Sequence, residues 1–117
     1  MNIGIPDMNA ASDNACALLK ALANPHRLMI ACSLLEKEQS VGELAKSLQI
    51  RDSAASQHLA SLRKDGIVSA RRDGHLVWYS ICSEPGRAVI EALYRVYCAT
   101  PSRESVKANK SKSTRRN

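Results

Sequence analysis

The stretch Val41–Ile81 reads VGELAKSLQIRDSAASQHLASLRKDGIVSARRDGHLVWYSI and decides the fold. It opens with a short helical pattern, breaks over Gln49 to Asp52, and resumes as a second helical pattern from about Ser53 to Lys64. Ala55, Leu59 and Leu62 give the second segment one apolar stripe at the spacing of a helix seated on a core. Asp65-Gly66 ends it, because Gly66 tolerates the left-handed conformation common just past a helix C-terminus. Two runs rich in β-branched and aromatic residues follow, Ile67–Arg72 and His75–Ile81. Asp73-Gly74 between them predicts a two-residue type I′ hairpin turn. Helix, tight turn, helix and hairpin is the order of a winged helix-turn-helix. In such a unit the second helix can enter the major groove of DNA, with the hairpin beside it.

The flanks extend this pattern. Ala15, Leu18, Leu19 and Leu22 predict an amphipathic first helix. Asn24-Pro25 predicts a capped start for a second helix running to about Glu36, with Leu28, Ala31, Cys32 and Leu35 on one face. Ser40, with Glu43 three residues on, predicts a capping box for a third helix over Val41–Leu48. Glu84-Pro85 predicts the start of a last helix, with Ile90, Leu93, Tyr94 and Tyr97 on one face, and Thr100-Pro101 predicts its end. The expected architecture is mainly α with a small β-hairpin: five helices with a two-stranded wing. Residues 1–13, with Gly4, Pro6, two Asn and two Asp, predict a flexible N-terminus. Residues 14–100 form the domain, and residues 101–117 predict a basic, disordered tail.

Composition narrows the classes. A chain of 117 residues, 44% hydrophobic, predicts one small domain. Phe is absent, so aliphatic residues must fill the core, and a core this small favours dimerisation as a way to bury more apolar surface. No apolar run has the length of a signal peptide or a membrane span. A cytoplasmic location is therefore expected, with no membrane partner. Thiols there are normally reduced, so Cys16, Cys32, Cys82 and Cys98 do not predict a disulfide framework. The net charge of +6 is concentrated in the tail, where Pro101 to Asn117 hold six basic residues and one acid. The body is close to neutral, so local placement carries the case for nucleic acid.

That placement is specific. Ser53, Ala54, Ser56, Gln57, Ser61 and His58 are expected on the outward side of the second helix of the pair. Small residues allow close approach to a groove floor, and Gln57 can pair bidentately with adenine. Arg51 in the turn, Arg63 and Lys64 at the helix end, and Arg71, Arg72 and His75 around the wing tip can meet phosphates or the adjacent minor groove. Any one of these is equally well explained as ordinary surface. Together they are not, because an exposed helix without a task normally carries Glu and Lys, the better helix formers. The stretch from Ser53 to Ser61 has no charged residue apart from His58 when that is protonated.

The segments LLKALANPHRLMIACSLL, SVGELAKSL, SAASQHLASLRKDGIVSARRDG and VWYSI together resemble the ArsR family of small bacterial winged-helix repressors. The likeness spans about Ala15 to Cys98. It implies a homodimer through the first and last helices, with two reading heads for a palindromic double-stranded operator that a ligand or oxidant releases. The family's usual metal motifs are absent: the third helix, ELAKSL, has no Cys or His, and where the family's last helix carries Asp/His pairs EALYRVYC has neither, Glu91 being its only carboxylate. No metal, cofactor or catalytic residue is expected.

The cysteines are similar to those of a sulfide- and oxidant-responsive subgroup of biofilm-growth repressors. That subgroup has one Cys in the second helix and one near the end of the last, matched here by Cys32 in ACSLLEKE and Cys98 in YRVYC. The resemblance implies that these two thiols crosslink on exposure to reactive sulfur or oxidant and release DNA. Read alone, a Cys on an apolar face is more often a small buried hydrophobe. Two other readings remain at this point. One is a repressor that answers arsenite or another soft metal through Cys16, Cys82 or Cys98, or answers no inducer. The other is a small thiol-redox enzyme, disfavoured by the absence of Cys-x-x-Cys or a Gly-rich phosphate loop.

Overall fold

Local hydrogen bonds set where the helices begin and end. In the computed structural model, which describes residues 5–98, the order is α1 (Ile5–Leu22), α2 (Pro25–Ser33), β1 (Gln39–Ser40), α3 (Val41–Leu48), α4 (Asp52–Lys64), β2 (Val68–Asp73), β3 (Leu76–Ile81) and α5 (Glu84–Tyr97). The Asn24 side chain accepts from the backbone N–H of His26 (3.0 Å) and Arg27 (3.1 Å), with Pro25 first in α2. Ser40 and Glu43 complete the capping box of α3: each side chain accepts from the other's backbone N–H at 3.2 Å. Ser83 Oγ accepts from Gly86 N at 2.9 Å and caps α5. At the end of α4, Gly66 adopts φ +77°. Its N–H donates to the Arg63 carbonyl, and the Ile67 N–H donates to that of Leu62. That is a Schellman motif, which sends the chain straight from α4 into the wing.

The five helices, found among the described residues, bear out the mainly α class, and the structure adds to or departs from the other expectations at four places. The expected flexible N-terminus is helical from Ile5 onward, residues 1–4 lying outside the described ones. Pro6 lies in the first turn of α1, where its missing N–H costs nothing, and Asp7 suits the positive end of the helix dipole. The wing hairpin has its two expected strands, and β1 adds a third beside β3, giving an antiparallel sheet in the order β1-β3-β2. Gln39 pairs with Tyr79 and Ser40 with Trp78, so the residue that caps α3 is also stitched to β3. The hairpin turn is shifted by one residue. Asp73 pairs with Leu76, which leaves Gly74 and His75 as the loop. Only Gly74 has positive φ there (+67°), the pattern of a type II′ rather than a type I′ turn. Finally, α4 starts at Asp52 behind Arg51, one residue before the expected Ser53, and no side chain caps it. The expected tail over residues 101–117 lies outside the described residues.

One buried cluster holds these elements together. Leu22 of α1, Ile30, Ala31 and Leu34 in and just after α2, Leu44 of α3, Leu59 and Leu62 of α4, Ile67, Val68 and Ile81 of the wing, and Ile90 of α5 all pack into it. Ile30, Leu44, Leu59, Leu62 and Ile90 are fully inaccessible to solvent. The turn between α3 and α4 is held by Gln49 in the left-handed conformation (φ 59°) and by the Ile50 N–H donating to the Ala45 carbonyl at 3.0 Å. Leu59→Ala should therefore lower the unfolding free energy by about 2–5 kcal/mol, read from urea denaturation. A loss below about 1 kcal/mol would mean that α4 is not seated on this core.

Candidate nucleic-acid interface and thiol site

Because Ala55, Leu59 and Leu62 are buried, the opposite side of α4 is fixed. Ser53, Gln57, Ala60 and Lys64 recur at helical spacing and are all exposed. Ser56 and Arg63 flank this stripe on one side and are exposed; Ala54 and Ser61 flank it on the other and are half-buried. Ala60 was missed by sequence reasoning, although its spacing from Gln57 and Lys64 placed it there. From Ser53 to Ala60 the stripe carries no formal charge and nothing longer than Gln57, so it stands low over any surface it meets. Arg51 precedes the helix and is exposed, as are Arg72 and His75 on the wing.

Two expected contact residues are engaged elsewhere. His58 is half-buried, with its ring centroid 5.6 Å from that of His26 at the start of α2. It therefore faces α2 rather than the open side of α4. Arg71 reaches across to Glu38: its Nε donates to Glu38 Oε2 at 3.3 Å and its Nη2 donates to Oε1. That hydrogen bond holds the Glu38 carboxyl below the usual carboxylate range and the Arg71 guanidinium above its own. Both side chains remain substantially exposed, so the pair orients the wing base more than it stabilises the fold.

The thiols fall into two groups. Cys16 and Cys82 are exposed and stand apart, the Cys82 thiol donating to the Gly66 carbonyl at 3.5 Å. Cys32 and Cys98 line one cavity of about 300 Å³ between α2 and α5. Cys32 is half-buried; Cys98 is exposed at the end of α5, its N–H donating to the Tyr94 carbonyl at 2.8 Å. Burial, and then the proximity of Cys98, push the Cys32 thiol up from its ordinary value. Among the described residues, no three His, Cys, Asp or Glu side chains converge as a metal site would require. No helix among them is long and apolar enough to cross a membrane.

Comparison with known proteins adds five findings. Residues 24–70 match the family model described as bacterial regulatory protein, arsR family. The chain is 47% identical over 96 residues to the transcriptional activator HlyU of Vibrio cholerae, covering 82% of this chain and 89% of the relative. A solved structure described as reduced HlyU from that organism superposes with a TM-score of 0.77 at 48% identity, covering 80% of this chain and 99% of the other. The biofilm growth-associated repressor of Agrobacterium fabrum is 43% identical over 97 residues, 83% of each chain. The homodimeric winged helix-turn-helix DNA-binding domain of Mb0332 from Mycobacterium bovis superposes with a TM-score of 0.68 at 30% identity, covering 82% of this chain and 89% of that one.

The His58 environment has a measurable consequence. Burial first, and then the positive charge of His26 and Arg27, hold its imidazole below the ordinary value near 6.5. The fold thus favours neutral His58, and the unfolded chain binds more protons as the pH falls. The stabilisation is complete above about pH 6.5 and is lost as pH falls through the lower folded-state value. His58→Gln should flatten the fall in urea midpoint between about pH 7 and pH 5. An unchanged slope would assign the acid sensitivity to other groups.

Proposed function

The chain belongs to the arsR family of bacterial regulatory proteins, and we propose that it is a homodimeric transcriptional repressor that releases its operator when Cys32 and Cys98 become linked. Three features support DNA binding: the low, uncharged stripe of α4, the exposed Arg51, Arg63 and Lys64 around it, and Arg72 and His75 on the wing. Ser53, Ser56 and Gln57 are the candidates for base edges, with Ala54 and Ser61 allowing close approach at the flank. Arg71 joins them only by leaving Glu38.

The dimer reading rests on exposed apolar surface. Met8 and Leu19 of α1, and Tyr94 and Tyr97 of α5, are all at least 42% exposed. The protomer is also a slab of 46 × 44 × 20 Å, thin for its breadth. Joining α1 and α5 to the same helices of a second copy covers this surface and sets two α4 helices at a fixed separation, which suits a palindromic operator.

The sensing reading is carried by the shared cavity of Cys32 and Cys98. Linking them withdraws two electrons and two protons, and an added peroxide takes these up as water. Sulfane sulfur does the same by successive thiol exchange. The link would tie α2, on which α4 is seated, to the end of α5, and so alter the spacing of the reading helices. The HlyU structure described as reduced accords with a redox input, and the name of the Agrobacterium repressor accords with repression.

Two measurements test this function. Cys32→Ser and Cys98→Ser should each bind operator as the reduced protein does and keep it after persulfide or peroxide. Release by either variant, followed by electrophoretic mobility, would refute the thiol pair. Gln57→Ala should weaken operator binding by about 1–3 kcal/mol and leave binding to unrelated duplex nearly unchanged. Equal losses on both would remove Gln57 from base reading.

A further inference from the structure

The two faces of the wing differ in charge. Arg71 of β2 is paired in register with Trp78 of β3, and Arg72 with Val77. Side chains alternate along a strand, so the two arginines leave the sheet on opposite faces. Ser40 of β1 is paired with the same Trp78 from the other side of β3. Glu38 stands two residues before Ser40 and shares the face of Trp78 and Arg71. Arg71 therefore reaches across the central strand, past Trp78, to meet Glu38. Two guanidinium nitrogens engage the two carboxylate oxygens, Nε at 3.3 Å from Oε2, in a fork-to-fork geometry. A DNA phosphate asks for the same fork. Lys37, Glu43 and Asp73 line the cleft around this pair. Counting all five charged groups, the cleft holds one more carboxylate than cation. With Arg71 engaged, this face of the wing does not attract a phosphate, whereas Arg72 on the opposite face is exposed and forms no ion pair among the described residues.

We propose that Glu38 is an internal competitor for the DNA backbone: it holds Arg71 off the duplex in the free protein and sets an affinity below the one the wing would otherwise reach. The proposal rests on the DNA-binding reading and names a device that limits it. An exposed pair of this kind is worth about 1.5- to fivefold in an equilibrium. A duplex carries one phosphate charge per roughly 1.7 Å of its axis, dense enough to draw Arg71 away, but the broken pair is the cost of doing so. Opening the latch also leaves Glu38 and Asp73 without their guanidinium beside the phosphates. Two wings per dimer multiply the attenuation to about two- to twenty-five-fold. A phosphate contact carries no sequence information, so operator and unrelated duplex are weakened alike and base preference is unchanged.

The test is a double-mutant cycle on DNA binding. Reduced full-length protein, Glu38→Ala, Arg71→Ala and the double variant are each titrated into a fluorescein-labelled, mixed-sequence duplex long enough for two half-sites, at low ionic strength, and anisotropy is read. Both side chains are exposed, so the substitutions leave the core untouched. Glu38→Ala should bind about two- to twenty-five-fold more tightly than the unmodified protein. Arg71→Ala should cost little alone and several-fold more when Glu38 is already Ala, because only the released guanidinium meets a phosphate without first breaking a pair. A gain from Glu38→Ala that persists undiminished when Arg71 is Ala is plain charge repulsion, and overturns the latch. Weaker binding by Glu38→Ala overturns it too, since the carboxylate would then be positioning Arg71 for the duplex. Either result leaves the DNA-binding reading standing. Unmodified protein that binds no duplex under these conditions overturns that reading, and this proposal with it.

Discussion

Leu59 and Leu62 of α4 lie fully buried in the cluster that contains Ile30, Ala31 and Leu34 of the α2 segment. This burial is what makes the opposite side of α4 a surface with a defined direction. A helix of thirteen residues is marginal alone in water, and α4 has no side-chain cap to help it begin. Its position therefore comes from packing, with the Schellman turn at Gly66 and the left-handed Gln49 fixing where the chain enters and leaves. Without that seat, Ser53, Gln57 and Lys64 would not share a stable face, and the wing would have no fixed relation to them.

The same short helix serves both ends of the proposed switch. Ile30 and Ala31 of α2 are buried in the core that holds α4, while Leu28, Met29 and Cys32 line the cavity shared with α5. α2 is only nine residues long, and close-packed interiors transmit displacement rather than absorb it. A bond between Cys32 and Cys98, as proposed, would therefore act on the element that seats α4. The burial that raises the Cys32 thiol also keeps it less reactive until a partner sulfur is delivered beside it.

Much of this was legible in the residues. Asn24-Pro25, the Ser40/Glu43 box and Gly66 are local signals, because a cap or a left-handed turn depends on atoms within a few positions of one another. The apolar spacing of Ala55, Leu59 and Leu62 named the buried side of α4, and its opposite followed. Strand β1 was not legible: two residues carry no periodicity, and Gln39 and Ser40 become a strand only because β3 lies beside them. The hairpin turn moved by one residue because strand register, and not the Asp73-Gly74 dipeptide alone, decides which residues are left unpaired.

Cys32 and Cys98 could be identified in the sequence, and so could the polar, uncharged character of Ser53 to Ser61. Chain order alone determined the helix-turn-helix and its wing, because hydrophobic periodicity and capping are properties of neighbouring residues. Only the tertiary structure decided that His58 turns to His26, that Arg71 is held by Glu38, and that the two thiols open onto one uncharged cavity. These pairings join positions 32, 33 and 66 residues apart. Such contacts arise from how whole helices and strands pack, which no local pattern encodes.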